Sequence, residues 1–223
     1  MKERKHLLRL LGIGLAASLF SAWSPPASGQ PSAPATEERW NVYKKPSDGF
    51  SIALPPAWRE IEADPQTPPS TSRLFKELNP EVSRILEWQE RNMMERGVVF
   101  LAYDWPPKPE SFASVGIQKR DLPVDFKLDD LVKLTLSTYE RIKFIEKPIS
   151  NRRVNLGGSE AERLQYRLNM TLPTGEAVTL DMNHYLILKG LSLYQVLFSA
   201  TAKQAQTFTP IFEKIAQSFQ WVE

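Results

Sequence analysis

One histidine is the side chain in this sequence best suited to acid–base chemistry. The imidazole of His184 titrates near neutral pH and has the donors and acceptors of a general base or a metal ligand. The residues around His184 alternate in polarity, and four aliphatic residues share its parity: Leu180, Met182, Leu186 and Leu188. This pattern predicts a strand with His184 on its apolar face. We therefore expect a structural histidine whose ring is satisfied by a neighbour.

The polar neighbours of His184 along the chain are Asp181 and Asn183, and both have the opposite parity. Successive side chains of a strand point to opposite faces, so neither residue joins the imidazole unless the strand bulges. The sequence therefore predicts no catalytic triad around His184.

Several carboxylates are candidates for acid–base pairs or for a calcium site: Asp125, Asp129, Asp130, Glu160 and Glu162. Their spacing fits no EF-hand loop. Carboxylates in the first turn of a helix usually stabilise its positive end, and others are usually solvated. We assign no catalytic, cofactor-binding or metal-binding residue and expect no cofactor. A carboxylate-dependent hydrolase stays open as a third function.

Three further motifs have structural interpretations. Gly157-Gly158 predicts a turn, because no glycine-rich run with a lysine surrounds it as in a phosphate-binding loop. Pro106–Pro109 predicts a rigid loop rather than a polyproline ligand. Asn169-Met170-Thr171 is a glycosylation sequon within a predicted strand, so we expect no modification there.

Composition excludes several kinds of protein. The chain has 223 residues, no Cys and two His, which excludes disulfides, thiol catalysis, thiolate metal sites and a multi-His metal cluster within one chain. Hydrophobic residues make up 42% and charged residues 24%, as in an ordinary globular protein. This length fits one domain with additional segments.

Residues 1–29 have the pattern of a secretory signal peptide. Four basic residues precede the apolar stretch Leu10–Trp23, and the small residues Ala27-Ser28-Gly29 follow. A membrane-spanning helix needs about 20 apolar residues, although an uncleaved anchor remains an alternative. The chain has no Cys for lipid attachment. We predict cleavage after Gly29 and a secreted or periplasmic protein that is free in its compartment.

The remaining chain divides into a tether and one domain. Residues 30–39 include Pro31, Ser32, Pro34 and Thr36 and no aliphatic residue larger than Ala, which predicts a disordered tether before a domain over 40–223. Without the four basic residues and one Glu of the signal segment, residues 30–223 carry 24 basic and 25 acidic residues, a net charge of −1. The charges are interspersed, which disfavours nucleic-acid binding.

Hydrophobic periodicity predicts an α+β domain. Strands are expected over 40–43, 50–54, 98–103, 113–120, 163–172, 178–188 and 191–200, and helices over 79–96, 128–142 and 208–219. The run 98–103 is apolar without alternation, which favours a central strand covered on both faces. Pro210 fits the last helix only if it lies in the first turn.

The last two predicted strands allow a prediction of register. A two-residue turn at Lys189-Gly190 pairs Leu188 with Leu191, and further along it pairs His184 with Gln195. A buried contact between this imidazole and the Gln195 amide is then expected. Both parities are apolar, so a helix should cover each face of the sheet; the two sets are Tyr185, Ile187, Tyr194, Val196 and Phe198 on one face, and Leu186, Leu188, Leu193 and Leu197 on the other.

The stretch Asp48–Trp58, read as DGFSIALPPAW, resembles the opening Gly-Phe-Ser strand, Pro and Trp of the PsbP-like and Mog-like superfamily. Other segments resemble its uncharacterised secreted bacterial members: Gly97–Asp104, Leu128–Leu131, the long antiparallel hairpin expected from the strands over 163–172 and 178–188, and Pro210–Phe219. The resemblance covers nearly 40–221 and implies a three-layer α/β/α fold around a largely antiparallel sheet. Relatives include an extrinsic photosystem subunit and a Ran-binding nuclear protein, so the fold implies no single function.

These observations favour a secreted or periplasmic, non-enzymatic binding or accessory domain. Its expected partner is a protein or an envelope component. The alternative is an extrinsic PsbP-like subunit of photosystem II or of another membrane complex, for which only the resemblance argues, and which allows a peripheral association with the membrane complex.

Overall fold

A computed structural model describes residues 39–61, 97–104, 113–171 and 177–222 of the chain. Several sequence predictions lie outside the described residues: the signal segment, nearly all of the tether, the helix over 79–96 and the proline loop at 106–109. No helix in the described part of the chain is long and apolar enough to cross a membrane.

The described residues form short and long strands with two α-helices. In chain order they are β1 (Asn41–Lys45), β2 (Phe50–Leu54), β3 (Trp58–Glu60), β4 (Val98–Asp104), β5 (Ala113–Asp121), α1 (Leu128–Glu140), β6 (Ser150–Leu156), β7 (Ser159–Thr171), β8 (Ala177–Lys189), β9 (Ser192–Thr201), α2 (Ala205–Gln217) and β10 (Gln220–Trp221). A 3-10 turn at Pro46–Asp48 joins β1 to β2. The sequence did not predict β3, β6 or β10, because two are very short and β6 is a polar strand.

Two antiparallel sheets organise the fold. The large sheet has the order β3-β4-β5-β9-β8-β7-β6, and the small sheet has the order β1-β2-β10. The run 98–103 is therefore not central, since β4 is next to the edge strand β3. It nevertheless buries both faces, with Phe100 and Ala102 in one apolar cluster and Leu101 and Tyr103 in another.

The two faces of the large sheet are covered by different helices, as predicted. On the α2 face, Phe198 and Val196 pack in one core with Phe212 and Ile215 of α2. The small sheet extends this layer, because Phe50, Ile52 and Leu54 of β2 are fully buried in the same core. On the α1 face, Leu186, Leu193 and Leu197 pack with residues of α1 such as Leu131. The predicted three-layer α+β architecture is thus confirmed.

The predicted register between β8 and β9 is wrong by two residues. Leu188 pairs with Leu193 and Lys189 with Ser192, so the turn consists of Gly190 and Leu191. Gly190 has φ 58°, and among the described residues only glycines have positive φ. A two-residue turn with glycine in the first position matches the type II′ preference, whereas glycine is second in the predicted Lys189-Gly190 turn.

Pro210 also differs from its prediction. It lies inside α2, which begins at Ala205, and therefore beyond the first turn. A proline there removes the hydrogen bond to the carbonyl of Gln206. Both Pro210 and Gln206 are exposed, so water can donate to that carbonyl in place of the missing N–H.

Candidate functional site

His184 lies in the core of the α1 face, where the parity argument places it. Its side chain is 1% exposed, and Nδ1 lies 2.9 Å from the hydroxyl of Tyr139 on α1. The Tyr166 hydroxyl donates to the same Tyr139 oxygen over 3.4 Å. Nε2 is buried and has no hydrogen-bond partner of normal geometry. The predicted pairing with Gln195 is wrong, because His184 is opposite Leu197 and Gln195 is opposite Leu186.

The shift in register moves Gln195 away from the position opposite His184, but its side chain still acts on the imidazole. Gln195 still lies on the α1 face, but diagonally from His184, and its amide donates to Gln118 over 3.5 Å. Burial lowers the pKa of His184 to about 4, and the neighbouring Gln195 side chain partly opposes this effect. Burial likewise raises the pKa of Tyr139 to about 12 and raises the pKa of Tyr166 well above its usual range. All three rings are therefore neutral near pH 7.

Three of the five candidate carboxylates surround one guanidinium instead of forming an acidic site. Arg153 on β6 contacts Asp129 at the start of α1 and lies 3.1 Å from the Glu162 carboxylate and 3.3 Å from Glu160. Glu162 is buried and also accepts a 2.6 Å hydrogen bond from the Asn151 amide. The guanidinium thus serves as a shared counter-ion of three carboxylates. Asp125 and Asp130 are exposed.

The other motifs occupy structural positions. Gly157 and Gly158 form the turn between β6 and β7. Asn169 lies on β7, where its side chain accepts a hydrogen bond from Thr179 on β8. Over the described ranges, no three His, Asp or Glu side chains are grouped so that they could hold a metal ion.

A polar crevice lies beside β7 and β8, on the side of the large sheet that ends in β6. We call it the edge crevice. Its volume is about 280 Å³, and its lining includes Lys147, Gln165, Arg167, Asp181, Asn183 and Thr209. Antiparallel pairing creates its floor, because Gln165 is opposite Asn183 and Arg167 is opposite Asp181. Thr209 on α2 and the segment before β6 contribute the remaining lining.

Hydrogen bonds fix the floor of the edge crevice. The Asn183 side-chain oxygen accepts from Gln165 over 2.9 Å and from Nε and Nη2 of Arg163 over 3.1 and 2.8 Å. Nη1 of Arg163 lies 3.1 Å from Glu213 on α2. The guanidinium also lies over the Tyr185 ring, 5.9 Å from its centroid. These contacts preorganise the floor and connect β7, β8 and α2.

Charges of both signs occupy the rim. Arg167 donates to Asp181 over 2.9 Å, and its Nη1 lies 3.9 Å from Glu146. The hydrogen bond with Asp181 raises the pKa of the Arg167 guanidinium. Lys147 donates to the Tyr139 carbonyl in the last turn of α1 and to the Ile142 and Ile145 carbonyls that follow the helix. The rim therefore carries charges of both signs, in which Arg167 is paired with Asp181 and Glu146 while Lys147 is held by carbonyl oxygens.

Sequence reasoning missed this crevice, although one signal for it is present. Arg163, Gln165 and Arg167 alternate with apolar residues, which puts three polar side chains on one face of β7. Asp181 and Asn183 have the matching parity on β8. Pairing these two polar rows predicts a polar strip, but α2 and the segment before β6 complete the concave shape through tertiary packing.

Comparisons with known proteins bear on the fold. No family model and no curated protein matches the sequence. The chain is similar to the solved structure of cyanobacterial PsbP (CyanoP) from Synechocystis sp. PCC 6803, with a TM-score of 0.51 and 14% identity over 86% of this chain and 98% of that chain. The chain has the PsbP/Mog-like fold.

Two further solved structures are similar to this chain. LpqN, involved in cell envelope biogenesis of Mycobacterium tuberculosis, has a TM-score of 0.50 and 11% identity over 84% of this chain and 93% of that chain. The Saccharomyces cerevisiae Ran-binding protein Mog1p has a TM-score of 0.49 and 9% identity over 84% of this chain and 97% of that chain. At these identities the similarity concerns the fold, and the site must carry any argument about function.

Proposed function

We propose that the protein is a secreted or periplasmic, non-enzymatic binding domain that holds a protein partner in the edge crevice. The observation that carries this proposal is the preorganised floor, in which Asn183 accepts three hydrogen bonds from Arg163 and Gln165. Fixed polar groups in a concave surface favour recognition, because little side-chain entropy is lost on binding.

The distribution of titratable groups supports binding over catalysis. His184 lies on the α1 face, whereas Asn183 and Gln165 lie on the α2 face, so the sheet separates the imidazole from the crevice floor. Glu146 and Asp181 do line the crevice, but both contact Arg167 and act as its counter-ions. A general acid–base pair needs one carboxyl group free to exchange a proton with the substrate.

The signal-peptide pattern of residues 1–29 supports an extracytoplasmic location. The similar LpqN structure is described as involved in cell envelope biogenesis, which is compatible with such a location. The alternative is an accessory subunit of a membrane complex. The identity of the captured partner distinguishes this role from that of a free binding domain.

Paired arginine substitutions on α2 test the proposal. Thr209 lines the crevice, and Thr207 is exposed on the same helix and is absent from the lining. Thr209→Arg fills the crevice, and Thr207→Arg adds the same side chain outside it. Each full-length variant is used to capture proteins from the envelope fraction of the source organism, and the partner is identified by mass spectrometry and then purified for direct binding.

We expect wild type and Thr207→Arg to bind the purified partner equally and Thr209→Arg to bind it about tenfold more weakly, a difference of about 1.4 kcal/mol. Circular dichroism verifies that the two variants are equally folded. Equal binding by all three proteins, or no direct binding by any, contradicts the proposal. Turnover in a hydrolase screen that is lost in Asp181→Asn contradicts the non-enzymatic assignment.

A further inference from the structure

Two arginines of neighbouring strands oppose each other next to the edge crevice. Arg152 on β6 pairs directly with Arg163 on β7, so both side chains leave the sheet on the α2 face. Like charges in directly opposite positions destabilise a pair of strands unless an anion compensates them. This placement therefore indicates a site of positive potential at the sheet edge.

Arg163 is compensated only in part. It is 4% exposed, yet its carboxylate partner, Glu213, has a side chain that is 44% exposed. A guanidinium has five N–H donors. Three hydrogen bonds to described residues use Nε, Nη1 and Nη2 once each, and one further donor remains on each terminal nitrogen. A carboxylate with two oxygens matches such a pair of donors.

Arg152 makes no ion pair with any residue that the structure describes. It is exposed on the edge strand β6. Its neighbour Arg153 provides a contrast, because Arg153 contacts three carboxylates. Two adjacent arginines on one strand thus differ completely in their local counter-ions.

The positive charges of both arginines act on the pKa of the buried Tyr185 phenol. Burial raises the pKa of Tyr185, and the positive charges of Arg163 and Arg152 act in the opposite direction, whereas Glu213 adds to the increase. Both guanidinium charges therefore act at the same point on the α2 face, beside the Asn183 oxygen that Arg163 shares with the crevice floor.

We propose that Arg152 and Arg163 form a binding site for the side-chain carboxylate of an acidic segment in the protein partner. The inference rests on the proposed function, because the same partner occupies the edge crevice. Arg152 provides the exposed cation, and Arg163 provides a fixed, desolvated one whose geometry is set by Asn183. An incoming carboxylate relieves the repulsion between the two guanidinium groups, which gives the partner an advantage over an uncharged segment.

N-acetyl-tetraglutamate amide serves as the probe in an NMR titration of the full chain at low salt. Observed signals are the Arg163 side-chain Nε–H, the Gln165 and Asn183 side-chain amides and the backbone amides of β6. Arg152→Gln removes the exposed cation. Lys133→Gln is the matched control, since Lys133 is exposed on α1 and the substitution changes the net charge by the same amount.

We expect the peptide to shift the Arg163 and β6 signals in wild type and in Lys133→Gln, with about tenfold weaker binding in Arg152→Gln. Absence of these shifts, or equal weakening by both substitutions, overturns the inference. Parallel titrations use inorganic phosphate and phosphatidylglycerol vesicles. A response to either that is at least as strong as the response to the peptide also overturns it, because the site then binds phosphate rather than carboxylate.

This outcome is separable from that of the proposed function. If the partner binds Thr209→Arg more weakly than Thr207→Arg and still binds Arg152→Gln with wild-type affinity, that result refutes only the acidic-segment site. Equal binding of the partner by Thr209→Arg and Thr207→Arg refutes the crevice proposal, whatever the result of the peptide titration.

Discussion

The imidazole of His184 is a buried neutral group, and its burial in the folded protein disfavours protonation. Nδ1 is occupied by the Tyr139 hydroxyl, and no hydrogen-bond partner of normal geometry reaches Nε2. Protonation would place a charge among the aliphatic side chains of the α1 face, far from the compensation that water provides. The facing titratable groups, Tyr139 and Tyr166, stay neutral across the acidic range because burial raises their pKa values.

We predict that this histidine makes the protein less stable in acid. The pKa of His184 is about 4 when folded and near 6.5 when unfolded, so between these values only the unfolded chain binds the proton. This titration leaves the free energy of unfolding unchanged above pH 6.5 and lowers it by about 3 kcal/mol as the pH falls to 4. Urea unfolding at pH 7 and pH 4 measures the change in wild type and in His184→Gln.

His184→Gln should lose about 3 kcal/mol less than wild type between the two pH values, since the glutamine does not titrate while the carboxylates are shared by both proteins. Identical pH dependence in the two proteins would show that the imidazole is not held neutral. The variant will be less stable at pH 7, so the comparison uses the change with pH and not the absolute free energy of unfolding.

At the scale of elements, the faces of the strands were predicted correctly, whereas the register between β8 and β9 was not. The alternation in β7 and β8 defined the buried face of each strand, and the structure confirms these faces. Register depends on which residues occupy the turn, and a choice between Lys189-Gly190 and Gly190-Leu191 moves every partner by two positions. Such a shift keeps each side chain on its face. The face of His184 was therefore predictable and its partner on β9 was not, although the Gln195 side chain still lies beside the imidazole.

The turn between β6 and β7 provides a matched pair of glycines. Gly157 and Gly158 both have positive φ, of 58° and 78°. A Cβ at Gly157 would lie 3.0 Å from the ring of Phe219 and 3.1 Å from the Phe219 carbonyl oxygen, whereas a Cβ at Gly158 meets nothing within 4 Å. Phe219 is fully buried and stacks on Phe50, so its ring has little room to move.

We predict that Gly158→Ala lowers the free energy of unfolding by about 1 kcal/mol, the cost of a left-handed conformation for alanine. Gly157→Ala should cost at least about 1 kcal/mol more, because the new methyl group also overpacks the core against Phe219. Chemical denaturation of both variants measures the difference. Equal losses would mean that Phe219 yields to the methyl group.

On the scale of the whole molecule, the three-layer architecture could be predicted from the sequence, whereas the edge crevice could not. Apolar residues of both parities in β8 and β9 required cover on both faces, and α1 and α2 provide it. The edge crevice instead combines polar positions of β7 and β8 with Thr209 of α2 and Lys147 before β6. Polar residues give no burial signal in a sequence, and residues so distant along the chain meet only through the packing of the helices.

The final prediction concerns the form in which the molecule functions. The apolar stretch Leu10–Trp23 would extend about 21 Å as a helix, which is short of the roughly 30 Å hydrocarbon core of a bilayer. We therefore expect cleavage after Gly29, and intact-mass measurement of the protein from the extracytoplasmic fraction should give a chain that begins at Gln30. Its net charge changes from +2 to −1, so isoelectric focusing should place it well below the pI of 8.7 for the full sequence.

Substitutions at the cleavage site provide the control for this prediction. Ala27 and Gly29 occupy the two positions where a small-residue cleavage site requires small side chains, and Ser28 lies between them. Ala27→Trp should block processing and leave a longer, membrane-associated chain, whereas Ser28→Trp should be processed normally. A wild-type chain that stays in the membrane and begins at Met1 would instead identify the segment as an anchor. Binding through the edge crevice would then take place at the membrane surface, where the anchor would hold the domain.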